Sequence, residues 1–123
     1  MLKLMTVDDS NIIRNKIQRA FDSGRFSMVA SACNGKEAVS LFKVHQPDVV
    51  TMDITMPEMD GIACIQHLMA INPNVSILVV SALSDKATGI EALEKGAQGF
   101  LIKPFTEQQL SEALIELTEH LDV

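Results

Sequence analysis

With 123 residues, 47% of them hydrophobic and 21% charged, the chain has the size and balance of one compact domain spanning 1–123, with no room for a second. A net charge of -6 argues against gripping a phosphate backbone, and no Lys/Arg run or basic-aromatic platform offsets it, so no nucleic-acid partner is expected. The longest apolar stretch, VSILVVSAL at 75–83, is far short of the roughly 20 residues that span a bilayer, and the N-terminus lacks an apolar signal core. No membrane partner is expected, and the location expected is the cytoplasm.

Five short apolar runs alternate with stretches of helical period. LKLMTV (2–7) reads as a first strand, followed by a helix over about 10–22 with Ile13, Ile17, Ala20 and Phe21 on one side. FSMVASA (26–32) is the second strand. In the second helix Ala38, Leu41, Phe42 and His45 recur at i, i+3, i+4 and i+7, with Asn34 and Glu37 at cap and third helical positions. DVVTM (48–52) is the third strand, and the third helix, about 61–71, carries Ile65, Leu68 and Met69 and ends before Asn72-Pro73.

VSILVV (75–80) is the fourth strand. The helix expected over 84–96 has a thin apolar stripe interrupted by Gly89, a residue that costs up to about 1 kcal/mol against Ala in a helix. So light an anchor marks this helix for movement or partner contact. QGFLI (98–102) is the fifth strand, and the last helix carries the stripe Leu110, Ala113, Leu114, Leu117 and Leu121, opened by Thr106 and Gln109 in capping-box positions. Parallel neighbours need right-handed crossovers, so this alternation predicts a doubly wound α/β fold, a parallel sheet covered on both faces. The strands at 2–7, 48–52 and 75–80 are the most uniformly apolar, as doubly covered central strands are.

Sites in such sheets lie outside the carboxyl ends of the strands. There the first strand ends in Asp8-Asp9, the third in Asp53, the fourth in Ser81-Ala82 and the fifth in Lys103-Pro104. Each has an ordinary reading alone: Asp9 or Ser10 as a helix cap, Asp53 as a turn residue. Together they bring three carboxylates, a hydroxyl and an ammonium to one sheet edge. Three such carboxylates repel one another unless a cation joins them, and Mg²⁺ suits oxygen-only ligands and works through one or two carboxylates plus a phosphate. Phosphate chemistry follows, with Lys103 as a point charge on the phosphoryl group and the Ser81 hydroxyl as a donor to it. Cys33 and Cys64 lack metal or redox spacing and read as reduced thiols, and His45, His67 and His120 lack ligand spacing.

VDDS (7–10), MDITMPEMDG (52–61), VVSAL (79–83) and GAQGFLIKPF (96–105), in that order, make the chain resemble the receiver domains of two-component response regulators, the CheY-like superfamily, over essentially its whole length. The resemblance implies a flavodoxin-like sheet of order 2-1-3-4-5 with five helices. It implies Asp53 as the phosphoacceptor, with a histidine kinase as phosphodonor and a downstream protein as target. Asp8, Asp9, Asp53 and the backbone carbonyl of Thr55 become the implied Mg²⁺ ligands, Lys103 the phosphate-sensing lysine, Ser81 the switch hydroxyl and Phe100 the aromatic that turns when that hydroxyl moves. A cis Lys103-Pro104 bond and a readout face of the fourth helix, fifth strand and fifth helix belong to the same set.

The chain departs from the fast chemotaxis pattern. Phe100 lacks a tyrosine hydroxyl, and the fifth helix offers Glu107, Glu112 and Glu116 instead of a basic face, so a flagellar motor target is not expected. Thr55 and the bulky Leu83 stand where the family tunes access of the hydrolytic water, which leads to the expectation of a long-lived phosphoryl group. Met1 directly before a strand and an end soon after the last helix lead to the expectation of a stand-alone regulator, the alternative being a receiver cut from a longer regulator with an output domain. The rival class is a Mg²⁺-dependent phosphohydrolase with Asp53 as nucleophile, but haloacid-dehalogenase-like phosphatases place an Asp two residues after the nucleophile as acid and base, and here that residue is Thr55. No enzymatic turnover is expected beyond the chain's own phosphorylation and slow dephosphorylation.

Overall fold

The structure, a computed structural model, describes residues 1–20, 25–54, 61–82 and 86–121. Among the described residues strand and helix alternate: β1 (Leu2–Val7), α1 (Asn11–Ala20), β2 (Phe26–Ala32), α2 (Gly35–His45), β3 (Val49–Asp53), α3 (Gly61–Ile71), β4 (Ser76–Ala82), α4 (Lys86–Glu94), β5 (Gly99–Lys103) and α5 (Glu107–Thr118). The five strands form one parallel sheet of order β2-β1-β3-β4-β5, so the strand order reverses between β1 and β3. The expected doubly wound fold is the one found, and β1, β3 and β4 are its interior strands.

The period of two along each strand divides the core into two layers. Leu2, Leu4, Val49, Leu78 and Val80 face Ile17, Leu110 and Leu114 of α1 and α5. Met5, Val7, Val50, Met52, Ile77 and Val79 face Ala38, Phe42, Ile65, Leu68 and Ala92 of α2, α3 and α4. Each fully buried Leu, Ile or Phe contributes on the order of 2 kcal/mol, which makes these layers the main source of stability.

Helix ends follow the capping expectations with one shift. The Asn34 side chain accepts from the Glu37 N–H at 2.8 Å, but the Glu37 carboxylate accepts from the N–H of Cys33, one residue before the cap, at 3.0 Å. At α5 the box closes fully: Thr106 Oγ1 accepts from the Gln109 N–H at 3.0 Å and Gln109 Oε1 from the Thr106 N–H at 2.9 Å. Thr106→Ala is expected to cost about 1 kcal/mol, read as a lower urea midpoint with unchanged m-value.

Boundaries differ from expectation where polar residues end an apolar run. β3 extends through Asp53 and β4 through Ser81 and Ala82, because the backbone ladder continues past the last apolar side chain: Asp53 pairs with Val80, Ser81 with Ile102 and Ala82 with Lys103. Residues 83–85, with Leu83, and Phe21 of the first expected helix lie outside the described residues. Thr118 is buried although nothing in the stripe of α5 marks it; its hydroxyl donates to the Leu114 carbonyl, and Arg25, just before β2, donates to its backbone carbonyl. No described helix is long and apolar enough to cross a membrane.

Candidate functional site

β1 and β3 are neighbours in register, Thr6 opposite Thr51 and Val7 opposite Met52. Asp8 and Asp53 therefore stand level at the carboxyl edge, on the same face as Thr6 and Thr51 two residues earlier. Those two threonines are buried and hydrogen-bonded hydroxyl to hydroxyl at 2.7 Å, a polar rung directly beneath the two carboxylates. Both carboxylates are themselves buried, at 1% and 5% exposure, which is the opposite of what a turn residue shows. Asp9 is exposed at the rim.

Lys103 closes the site from the end of β5. Its Nζ lies 3.0 Å from Asp8 Oδ2, a hydrogen-bonded ion pair, and 3.7 Å from Asp53 Oδ2. The other oxygen of Asp8 accepts from the Ser10 N–H at 2.9 Å, so both its oxygens are engaged. Ser10 also caps α1, its Oγ accepting from the Ile13 N–H, while Arg14 donates to the Asp8 carbonyl and to the Asn11 side chain. Lys103-Pro104 is cis. Beyond it, Phe105 is buried in the α1/α5 layer and its carbonyl accepts from Lys16.

Ser81 and Phe100 lie on the opposite face of the sheet. Ser81 continues the Ile77, Val79 face; it is buried, and its hydroxyl donates to the Ala82 carbonyl at 3.3 Å. Phe100 is paired with Val79 in register and packs on the same α2/α3/α4 layer. The charged residues are thus gathered on one face, and the two residues assigned to switching are diagonal neighbours on the other. Thr55 lies outside the described residues, so the placement of its carbonyl is not described.

One carboxylate oxygen from each of Asp8, Asp9 and Asp53 lies within 4.8 Å of the other two. A donor set of carboxylate oxygens alone, with neither His nor Cys joining it among the described residues, fits a hard divalent cation such as Mg²⁺ and not zinc. Sequence reasoning named the three carboxylates and Lys103. It noted Ser10 only as a cap and missed Arg14 and Lys16, whose bonds to carbonyls leave no periodic signal; the Thr6–Thr51 pair had one cue, a hydroxyl inside each of two apolar runs.

The model of the response regulator receiver domain matches residues 4–115. The chain is 41% identical to the chemotaxis protein CheY of Listeria monocytogenes over 93% of this chain and 96% of that protein, and 40% identical to CheY of Thermotoga maritima over 95% and 98%. Among solved structures, CheY in the CheX-CheY-BeF3-Mg²⁺ complex of Borrelia burgdorferi superposes with a TM-score of 0.88 at 33% identity, covering 94% of this chain and 88% of that one. The receiver domain of AraT from Geobacillus stearothermophilus superposes at 0.92 with 30% identity, covering 98% and 95%. A five-stranded parallel sheet of order 2-1-3-4-5, an acidic cluster at its carboxyl edge and these likenesses together establish that the chain belongs to the response regulator receiver domain family.

Proposed function

We propose that this chain is the phosphoacceptor receiver of a two-component system, phosphorylated on Asp53 by the phosphohistidine of a partner kinase. The observation that carries the reading is the pairing of Lys103 Nζ with both buried carboxylates, 3.0 Å from Asp8 and 3.7 Å from Asp53, beside a third carboxylate. A cation held over Asp53 is in place to meet oxygens of an incoming phosphoryl group. Asp8, Asp9 and Asp53 would hold Mg²⁺, with the Thr55 carbonyl proposed as a further ligand; when bound, the metal supplies screening between the acceptor carboxylate and the phosphoryl oxygens.

In the transfer, an Asp53 carboxylate oxygen forms the new P–O bond as the P–N bond of the donor breaks. The electron pair returns to the imidazole nitrogen, which takes up a proton. Lys103 then pairs with a phosphoryl oxygen and the Ser81 hydroxyl donates to another, drawing Ser81 from its contact with Ala82. Phe100 follows on the same face, and the changed surface of α4, β5 and α5 is offered to a protein target. Alignment over 96% of the length of the Listeria protein supports reading this chain as a stand-alone regulator, for which a cytoplasmic location is proposed.

Incubation with acetyl phosphate and Mg²⁺, followed by intact mass, is expected to give a single phosphoryl adduct per chain, absent from Asp53→Asn. An adduct that survives the substitution overturns the assignment, and sustained release of phosphate from small esters favours the phosphohydrolase instead.

A further inference from the structure

α4 is lightly held. Between residues 87 and 94 only Gly89 and Ala92 are buried, while Ile90 and Leu93 face outward with 51% and 40% exposure. A nine-residue helix with a glycine inside it is not stable by itself, so its position depends on tertiary contact. That contact is unusual: a Cβ added to Gly89 would fall 1.7 Å from Cε2 of Phe100 and 2.6 Å from Cδ2 and Cζ. The ring thus occupies the volume that any other residue at 89 would need, and the helix backbone rests on it.

We propose that Gly89 is the seat of Phe100, a positioning residue through which the ring's departure toward Ser81 loosens α4. The inference rests on the phosphoacceptor reading for its trigger but on packing alone for the seat. With only the small residues Gly89 and Ala92 turned inward between 87 and 94, α4 buries no large side chain of its own there, so displacing the ring removes the contact at Gly89 and leaves α4 held by Ala92 and its packing on α3 and β4. A ligand that moves Ser81 then biases two arrangements that differ in contact at Gly89, which is what a population shift requires.

The seat is tested by a sign reversal. Gly→Ala inside a helix ordinarily stabilises. Here Gly89→Ala is expected to lower the melting temperature when Phe100 is present and to raise it in a Phe100→Ala background, where the volume is free. The same sign in both backgrounds overturns the seat. The coupling is tested by hydrogen exchange: beryllofluoride with Mg²⁺ is expected to speed exchange of the α4 amides severalfold in the wild type, and Phe100→Ala to show fast exchange in α4 without it. Protection in α4 that Phe100→Ala leaves unchanged overturns the coupling. If the wild type binds no beryllofluoride, the receiver reading fails, while the sign reversal still decides the seat.

Discussion

Gly61→Ala is expected to be among the most damaging single-methyl changes in this chain, costing about 3 kcal/mol or more and removing Mg²⁺ binding and Asp53 phosphorylation with it. Gly61 opens α3 at a point where the backbone passes the end of β3 at van der Waals range. A Cβ there would lie 2.3 Å from the Ile54 Cα, 2.7 Å from the Asp53 carbonyl oxygen and 3.0 Å from the Ile54 Cβ. The first two are backbone atoms and cannot swing aside as a side-chain tip does. The Gly61 N–H also donates to the Ile54 carbonyl at 3.1 Å, so relieving the clash breaks that closure as well. Because the displaced atoms belong to Asp53 and its neighbour, the damage falls on the site itself. Denaturant unfolding and a Mg²⁺ titration check this together, with Thr106→Ala as the control: it is expected to lose stability through its cap while phosphorylating normally. A Gly61→Ala protein with wild-type midpoint and Mg²⁺ affinity would show that the helix start relaxes freely.

How much of this the sequence revealed depends on whether a feature was periodic. Buried parallel strands are continuous apolar runs and helices carry stripes, so the alternation, its order of elements and the two-faced sheet were legible. Strand ends were less so, since Asp53 and Ser81 look like stops while their backbones remain paired. The acidic residues and Lys103 were legible because they fall after apolar runs at one edge. Gly89 was read as a weakness of α4; in three dimensions it is a fitted contact with Phe100, made by a residue on a different element that no local pattern announces. The same holds for Arg25 and Thr118, joined by a hydrogen bond across 93 residues.

Lys103→Ala is expected to lower stability in the absence of divalent ions by about 2–3 kcal/mol and yet to bind Mg²⁺ more tightly. The ammonium sits between two buried carboxylates, and without it Asp8 and Asp53 lose the cation that stands between them. Stripping one partner from a buried pair typically costs about 3–5 kcal/mol, and the lower figure here reflects an ammonium that keeps 24% side-chain exposure and is partly screened. The sign for Mg²⁺ follows from the same geometry. In the wild type the lysine contacts oxygens of two of the three carboxylates that would hold the ion, so binding must loosen those contacts; removing them is expected to lower the dissociation constant by about tenfold, the equivalent of about 1.4 kcal/mol. Saturating Mg²⁺ is then expected to recover much of the lost stability by mass action, giving a larger melting-temperature rise than in the wild type. Adding Asp8→Asn to Lys103→Ala is expected to recover part of that stability without the ion, because one of the two buried carboxylates that faced the ammonium is gone. The gain does not carry through to signalling, since the phosphoryl group on Asp53 would lack its cationic partner and the shift at Ser81 and Phe100 would weaken. Calorimetric titration with Mg²⁺ and melting curves in EDTA decide the matter: an unchanged or weaker affinity in Lys103→Ala would mean that the lysine does not compete for the carboxylates in solution.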